Sequence, residues 1–447
     1  MRVLMNSFAV KVPILVSLAL VLLAGLTTTR AQEKVTDIDR EHGRIMLKRI
    51  KDELKKTYYD PKFHGVDVEA SFKAAEAKIK DARSVGQIFG IVAQVLGELD
   101  DSHTYFLPPI RAGRTEYGWT MQIVGDRCFV SSVDEGSDAQ AKGVKPGDEV
   151  LEASGFVLGR PNLWKFQYLI YALRPQPGLR VVLRSPNGEQ RQLDLVAKQI
   201  EGRRYNDMTY NELMHDAVQG ELEAKQLRDR FKSFGEQLFI WKMNAFDLVN
   251  SQVDGAIDKA RNHQALILDL RGNGGGRVTT INRLVANLFD RDVKISDEVT
   301  RKETKAEIAK SRGDKAFKGK LVVLVDSRSA SASEILARLV QLEKRGTVIG
   351  DQTAGAVMAS VYFGDQIGMG VAILYGASIT VSDVIMSDGK SLEKVGVTPD
   401  EVRLPSAADL AAGRDPVMSY AASLFGVTLD PVEAGKLFPI EIKVKRQ

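Results

Sequence analysis

The chain reads as an α/β protein in which a helical N-terminal segment and a β-rich insertion precede a mixed core. Three observations predict this. Between residues 36 and 99, apolar residues recur at spacings of three and four with charges between them, the pattern of amphipathic helices. From Tyr117 to about Lys198 the texture changes to short β-type runs separated by turns. Beyond residue 235, apolar strand-like runs alternate with helical patterns.

The first 31 residues set Arg2 and Lys11 before an apolar run from Pro13 to Leu26 and a polar TTTRAQ segment. This is the layout of a secretory signal peptide cleaved after Ala31. The run is shorter than the roughly 20 residues that a spanning helix needs, so no stable membrane span is expected. An exported protein follows, periplasmic or secreted, with no Cys after the signal to accept a lipid.

Residues 32–112 then form the helical segment, broken at DPKFHG and ended by the prolines of DDSHTYFLPP. Within 113–199, MQIVGDRCFVSSV reads as two strands. Gly143, Pro146, Gly147 and Asp148 make a tight turn, and Asn187-Gly188 makes a hairpin turn. Residues 200–235 are highly charged and read as a connector at the start of the 200–447 core region. EQLFIWKMNAF, ALILDLRGNGGG, GKLVVLVD and GVAILYGASITV supply its strands, with helices at about 276–290 and 331–345.

At 447 residues, 44% hydrophobic and 27% charged, the composition is that of an ordinary globular chain. The signal carries three basic and no acidic residues, so 59 Lys plus Arg remain against 58 Asp plus Glu. A nearly neutral protein lacks the basic surface that nucleic acid demands. The sole Cys128 excludes an internal disulfide, and five scattered His without Cys companions offer no zinc spacing, so neither metal nor cofactor is expected.

Four stretches carry residues suited to chemistry. DSRSASASEILARLV sets Ser329, Ser331 and Ser333 on alternate positions before an apolar helical stripe. Ser331 with Glu334 is a capping-box pair, which on this segment alone explains the serine as well as a nucleophile does. In ALILDLRGNGGG, a buried strand runs into four glycines among five residues, where backbone N–H groups can approach a bound group closely. The spacing fits neither a phosphate cradle nor a dinucleotide fingerprint, which leaves oxyanion binding. His103 sits on a loop beside Asp100, Asp101 and Ser102, all able to orient an imidazole or tune its proton affinity. Glu393 precedes a GVTPD turn and is the kind of carboxylate that holds a His base in its productive tautomer.

AKGVKPGDEVLEASG resembles the most recognisable segment of PDZ domains, and YGWTMQI resembles their carboxylate-binding loop and following strand. That resemblance implies that Gly118, Trp119 and Thr120 hold the C-terminus of a protein or peptide added as a strand to a sheet edge. DSHT with LPP, DLRGNGGG, SASASE and LEKVGVTPD occur, with the PDZ-like segment between, in the order of the C-terminal-processing or tail-specific serine peptidases. The resemblance spans nearly all of residues 36 to 403. It implies a crotonase-like ββα peptidase core with an inserted PDZ domain and an N-terminal helical domain, and hydrolysis of peptide bonds without a cofactor.

Within SASASE the family pattern selects Ser331 as nucleophile, with the Ala332 N–H and that of Gly274 or Gly275 as oxyanion donors. The Ser/Lys branch of the family takes its base from G-E-x-T-F-G-K-G. Here the equivalent stretch is GDQTAGAV, with Ala356 in the lysine's place. The tricorn-like branch uses Ser-His-Glu instead, and Ser102-His103 and Glu393 stand at its matching places, so His103 is the expected base and Glu393 its orienting acid. Ser102 assists by bonding the base or the Glu. Two rival readings are an inactive peptide-binding scaffold and a base relocated to Lys390 or Lys394.

Overall fold

The computed structural model describes residues 35–109, 113–201, 230–368 and 373–438. The expected signal peptide and most of the expected connector lie outside the described residues.

The core is a six-stranded sheet in the order Phe231–Phe234, Leu238–Lys242, Ala265–Asp269, Lys320–Val325, Thr347–Gly350 and Glu401–Val402. Its first pair is antiparallel and the rest are parallel. Side chains alternate between two apolar layers. Leu266 and Leu268 face the helices Asn250–Ala260, Val278–Leu288 and Ala332–Leu342, while Ala265 and Ile267 face Val417, Met418 and Ala421 of the Pro416–Ser423 helix. Burial on both faces explains why the segment reads as an unbroken apolar run rather than an alternating one.

A second, antiparallel sheet is built on the long strand Ile373–Ile385. Met358–Ile367 pairs along one side, and Tyr105–Leu107 and Val293–Thr300 pair along the other, with Thr304–Ala309 beyond. The GVAILYGASITV run was expected among the core strands and belongs here instead. Tyr375 to Thr380 are buried in succession, as the residues of the parallel strands are, so burial and residue type do not tell the two sheets apart in the sequence. The two expected helical stretches form three helices, Asp37–Thr57, Val68–Lys80 and Val85–Gly97, and each N-cap side chain (Thr36, Asp67, Ser84) accepts a first-turn N–H. Their core continues into Phe106, Tyr375, Ala377 and Ile379 of the second sheet.

Between them lies a separate β-rich insertion with its own apolar core around Trp119, Val130, Val181 and Leu183. Its strands run in the order Trp119–Val124, Arg127–Val133, Glu149–Ala153, Gly178–Arg184 and Gln190–Val196. Gly125 N–H donates to Asp351 Oδ2 at 2.8 Å, the Arg160 guanidinium reaches Asp351 at 3.0 Å, and Ser327 Oγ donates to the Ile123 carbonyl at 2.6 Å. The insertion is thereby bonded to the loops that leave two parallel core strands. Those loops form the candidate site.

Candidate active site

In parallel α/β sheets, ligands bind beyond the carboxyl ends of the strands. Here Ala265–Asp269 leads into the glycine loop, Lys320–Val325 into the serine turn, and Thr347–Gly350 into the loop carrying Ala356. The serine turn separates its three hydroxyls. Ser329 is buried, accepts the Asp326 N–H at 2.9 Å and donates to the Leu270 carbonyl at 2.9 Å. Ser333 is also buried and donates to the Asn273 carbonyl at 2.9 Å. Ser331 is half-buried, and its Oγ makes no hydrogen bond among the described residues.

Ser331 immediately precedes the Ala332–Leu342 helix, at φ 55° and ψ −118°. A side chain here is strained by on the order of 1–3 kcal/mol and must be held by its surroundings. Its N–H is shared between the Ala356 carbonyl at 2.9 Å and Glu334 Oε2 at 3.0 Å. The expected capping box is thus half formed: the Glu334 N–H goes to the Ser331 carbonyl at 2.8 Å, and no side-chain cap bond uses the hydroxyl. Glu334 does more than cap. Fully buried, it also accepts Thr353 Oγ1 at 2.6 Å and the Gly355 and Ala356 N–H groups at 2.7 and 2.9 Å. Burial raises its carboxyl above the usual range, opposed by these donors. One carboxylate therefore locks the serine turn to the 353–356 loop.

The glycine loop lies against the same turn. Gly275, at φ +97°, would carry a Cβ 2.7 Å from Ser331 Cβ and 3.1 Å from the Ala332 nitrogen. Its N–H is already given to Asn273 Oδ1 at 2.9 Å, so Gly275 is not a free oxyanion donor. The Asn273 carbonyl accepts the Ala330 N–H at 3.0 Å as well as Ser333 Oγ. In a trans peptide the adjoining Gly274 N–H then points the opposite way, away from that buried side. Neither Gly274 nor Ala332 uses its N–H in a hydrogen bond among the described residues.

His103, Ser102 and Glu393 are brought together by the turn before Tyr105–Leu107 and the turn after Ile373–Ile385. Glu393 was expected to orient His103, with Ser102 assisting through a bond to one or the other. Ser102 stands between them: its Oγ donates to Glu393 Oε2 at 2.8 Å and lies 2.7 Å from His103 Nδ1. Glu393 also accepts the Ser102 N–H at 2.7 Å and the Val357 N–H at 2.9 Å. Because the Ser102 proton goes to the carboxylate, Nδ1 is the donor and Nε2 carries the lone pair. Burial pushes His103 below its usual value, opposed by the charge of Asp101. Burial raises the Glu393 carboxyl, opposed by its Ser102 and Val357 donors.

A single peptide unit joins the two halves. The Ala356 carbonyl takes the Ser331 N–H, and the Val357 N–H of the same peptide goes to Glu393. Ser331 Oγ and the His103 ring are not in hydrogen-bond contact in this structure. Of the lysines considered as bases, Lys394 is ion-paired with Asp100 and Lys390 is exposed. A cavity of about 420 Å³ lies behind the glycine loop, lined by Lys242, Asp269, Arg271 and Asp415. It contains none of Ser331, His103 or Glu393, and Arg271 pairs with Asp269 and Asp415 in its wall.

Residues 237–403 match the model of peptidase family S41. The chain is a serine peptidase, and residues 237–403 are what is similar to that family. The matched stretch holds the glycine loop, the serine turn and Glu393, whereas His103 comes from outside it. The chain is 26% identical over 370 residues to the chloroplastic C-terminal processing peptidase of Tetradesmus obliquus, covering 78% of this chain and 74% of that one. It is 27% identical over 338 residues to the tail-specific protease of Haemophilus influenzae, covering 69% of this chain and 44% of that one. Among solved structures, mature CPAF superposes with a TM-score of 0.63 over 84% of this chain and 95% of that one. At 14% identity that likeness speaks for the fold alone.

Beyond the expected residues, sequence reasoning missed the structural roles of Glu334 and Asn273 and the Ala356–Val357 peptide. Only Glu334 left a signal, as the second half of a capping box; backbone carbonyls and N–H groups leave none.

Proposed function

We propose that the chain hydrolyses peptide bonds of exported proteins by acyl transfer, with Ser331 as nucleophile and His103 as base. The observation that carries this is the Glu393–Ser102–His103 relay, tied through one peptide unit to the Ser331 backbone. Ser331 Oγ attacks the carbonyl carbon, and its proton passes to His103 Nε2. The Nδ1–H remains bonded to Ser102, whose own proton remains on the Glu393 side. When the tetrahedral intermediate collapses, His103 gives its proton to the leaving amine, and water then releases the acyl group by the same route in reverse. The Ala332 and Gly274 N–H groups receive the oxyanion, Ala332 with the helix dipole behind it. Ala356 supplies no base, and the relay explains why none is needed there. Substrate binding closes the remaining gap between Ser331 and His103.

The pH dependence follows from His103. The base must be neutral, and burial holds its pKa below the ordinary 6.5. The acid limb of kcat/KM is expected below that value, leaving the enzyme fully active at neutral pH; a limb above pH 7 contradicts this assignment.

We further infer that the insertion is a PDZ domain that docks substrate C-termini. Trp119–Val124 ends its sheet with Arg127–Val133 as its only partner strand among the described residues, which leaves an edge for an added strand. At the head of that strand Gly118 has φ +74°, Thr120 is exposed, and the buried Trp119 Nε1 has no partner among the described residues. Amidating the C-terminus of a long peptide substrate should raise KM about tenfold or more at unchanged kcat. Equal KM for free and amidated tails removes the docking role.

A further inference from the structure

Asp101 is buried one residue before the Ser102–His103 pair and makes no ion pair among the described residues. Four donors from three segments converge on it. Its Oδ1 accepts the His103 N–H at 3.0 Å, the Thr104 N–H at 2.7 Å and Thr380 Oγ1 at 2.7 Å, and its Oδ2 accepts the Tyr58 hydroxyl at 2.8 Å. Tyr58 ends the first helix, and Thr380 lies in the long strand of the second sheet. Thr104 Oγ1 closes the network by donating to Thr380 Oγ1 at 3.0 Å and accepting the Thr380 N–H at 3.1 Å.

The hydrogen bonds alone ask for an acceptor, not for a charge. An Asn side chain could take the same three protons on Oδ1, losing only the bond from the Tyr58 hydroxyl, whose proton its NH2 group cannot accept. Burying an unpaired carboxylate costs several kcal/mol more than burying a neutral amide, so the charge calls for a separate reason. The nearest group that becomes positive during acyl transfer is the His103 imidazole, whose backbone Asp101 already holds.

We propose that Asp101 is a positioning residue for the base: its oxygens fix the 102–104 turn, and its negative charge stabilises the imidazolium formed when Ser331 loses its proton. This rests on the reading of Ser331 and His103 as nucleophile and base. Other titratable groups around the ring do not replace it. Glu393 reaches the imidazole only through Ser102, and Lys394 and Asp100 pair with each other. Tyr58 is held well above its usual pKa by burial and by Asp101 itself, and Tyr59 by burial and by the nearby Asp383, so both stay neutral donors. Asp101 is the charge that opposes burial at His103.

The test is the pH profile of Asp101→Asn against the full-length enzyme, with His103→Ala beside it. Asn keeps the three bonds that hold the turn, so KM should stay near wild type, while the lost Tyr58 bond lowers the melting temperature modestly. The acid limb of kcat/KM should move down by about half a pH unit or more, because the imidazolium loses a favourable charge. The plateau kcat should fall about tenfold for the same reason. A wild-type limb and wild-type kcat in Asp101→Asn overturn the proposal and leave Asp101 as scaffold only. Substantial turnover in His103→Ala overturns the underlying base assignment instead, whatever Asp101→Asn does. If the Asn variant does not fold, Asp101→Ser, a smaller neutral acceptor, carries the same prediction and the same refutation.

Discussion

Ser331→Ala is expected to lower kcat by about 10⁴-fold or more on any peptide substrate, and His103→Ala by a similar factor. In the proposed mechanism the two residues act on one proton, so once either is lost the other has nothing left to do. The double variant should therefore be no slower than the slower single one, whereas independent contributions would multiply. KM should change little, because neither side chain is needed to dock the chain being cut. Ser329→Ala and Ser333→Ala separate chemistry from structure. Their hydroxyls are committed to the Leu270 and Asn273 carbonyls, so these variants lose stability, by about 1 kcal/mol each, and turn over far more than Ser331→Ala.

Gly275→Ala should be nearly as damaging to turnover although it removes no reactive group. The added Cβ would lie 2.7 Å from Ser331 Cβ and 2.9 Å from the Ala330 carbonyl oxygen, at a φ of +97° that L side chains rarely adopt. The glycine loop must retreat or the serine turn must shift. Either way the Gly274 N–H leaves the place proposed for it opposite the scissile carbonyl. Loss of one oxyanion donor costs about 10²–10³ in kcat, and backbone strain adds about 1–3 kcal/mol of instability. Steady-state kinetics with a parallel denaturant titration distinguish the two: a folded variant with wild-type kcat contradicts the placement of the oxyanion site.

The parts most legible in the sequence were those where burial dictates residue type. Ala265–Asp269 and Lys320–Val325 announce themselves because both faces of the sheet are covered, and two amphipathic helical stretches were found through their periodicity, the second of which is two helices in the structure. Val293–Thr300 and Thr304–Ala309 were missed. They are half-exposed strands whose Lys, Glu and Asp side chains face solvent, and polar alternation without strong apolar positions resembles a loop. In the candidate site, residues could be proposed from the sequence because the motifs that carry them keep their order along the chain. The order of contacts was not. Nothing in Ser102-His103 and Glu393 says that the hydroxyl stands between imidazole and carboxylate, because that depends on how two distant turns meet. Gly274 and Gly275 likewise look equivalent as letters, and only the Asn273 side chain, by taking the Gly275 N–H, tells them apart.

The most direct measurement is the rate and position of labelling by a fluorophosphonate serine probe, mapped by mass spectrometry at neutral pH. The account predicts a single adduct on Ser331, formed orders of magnitude more slowly in His103→Ala and absent from Ser331→Ala. An adduct on another residue, or a labelling rate at Ser331 indifferent to His103, would contradict it.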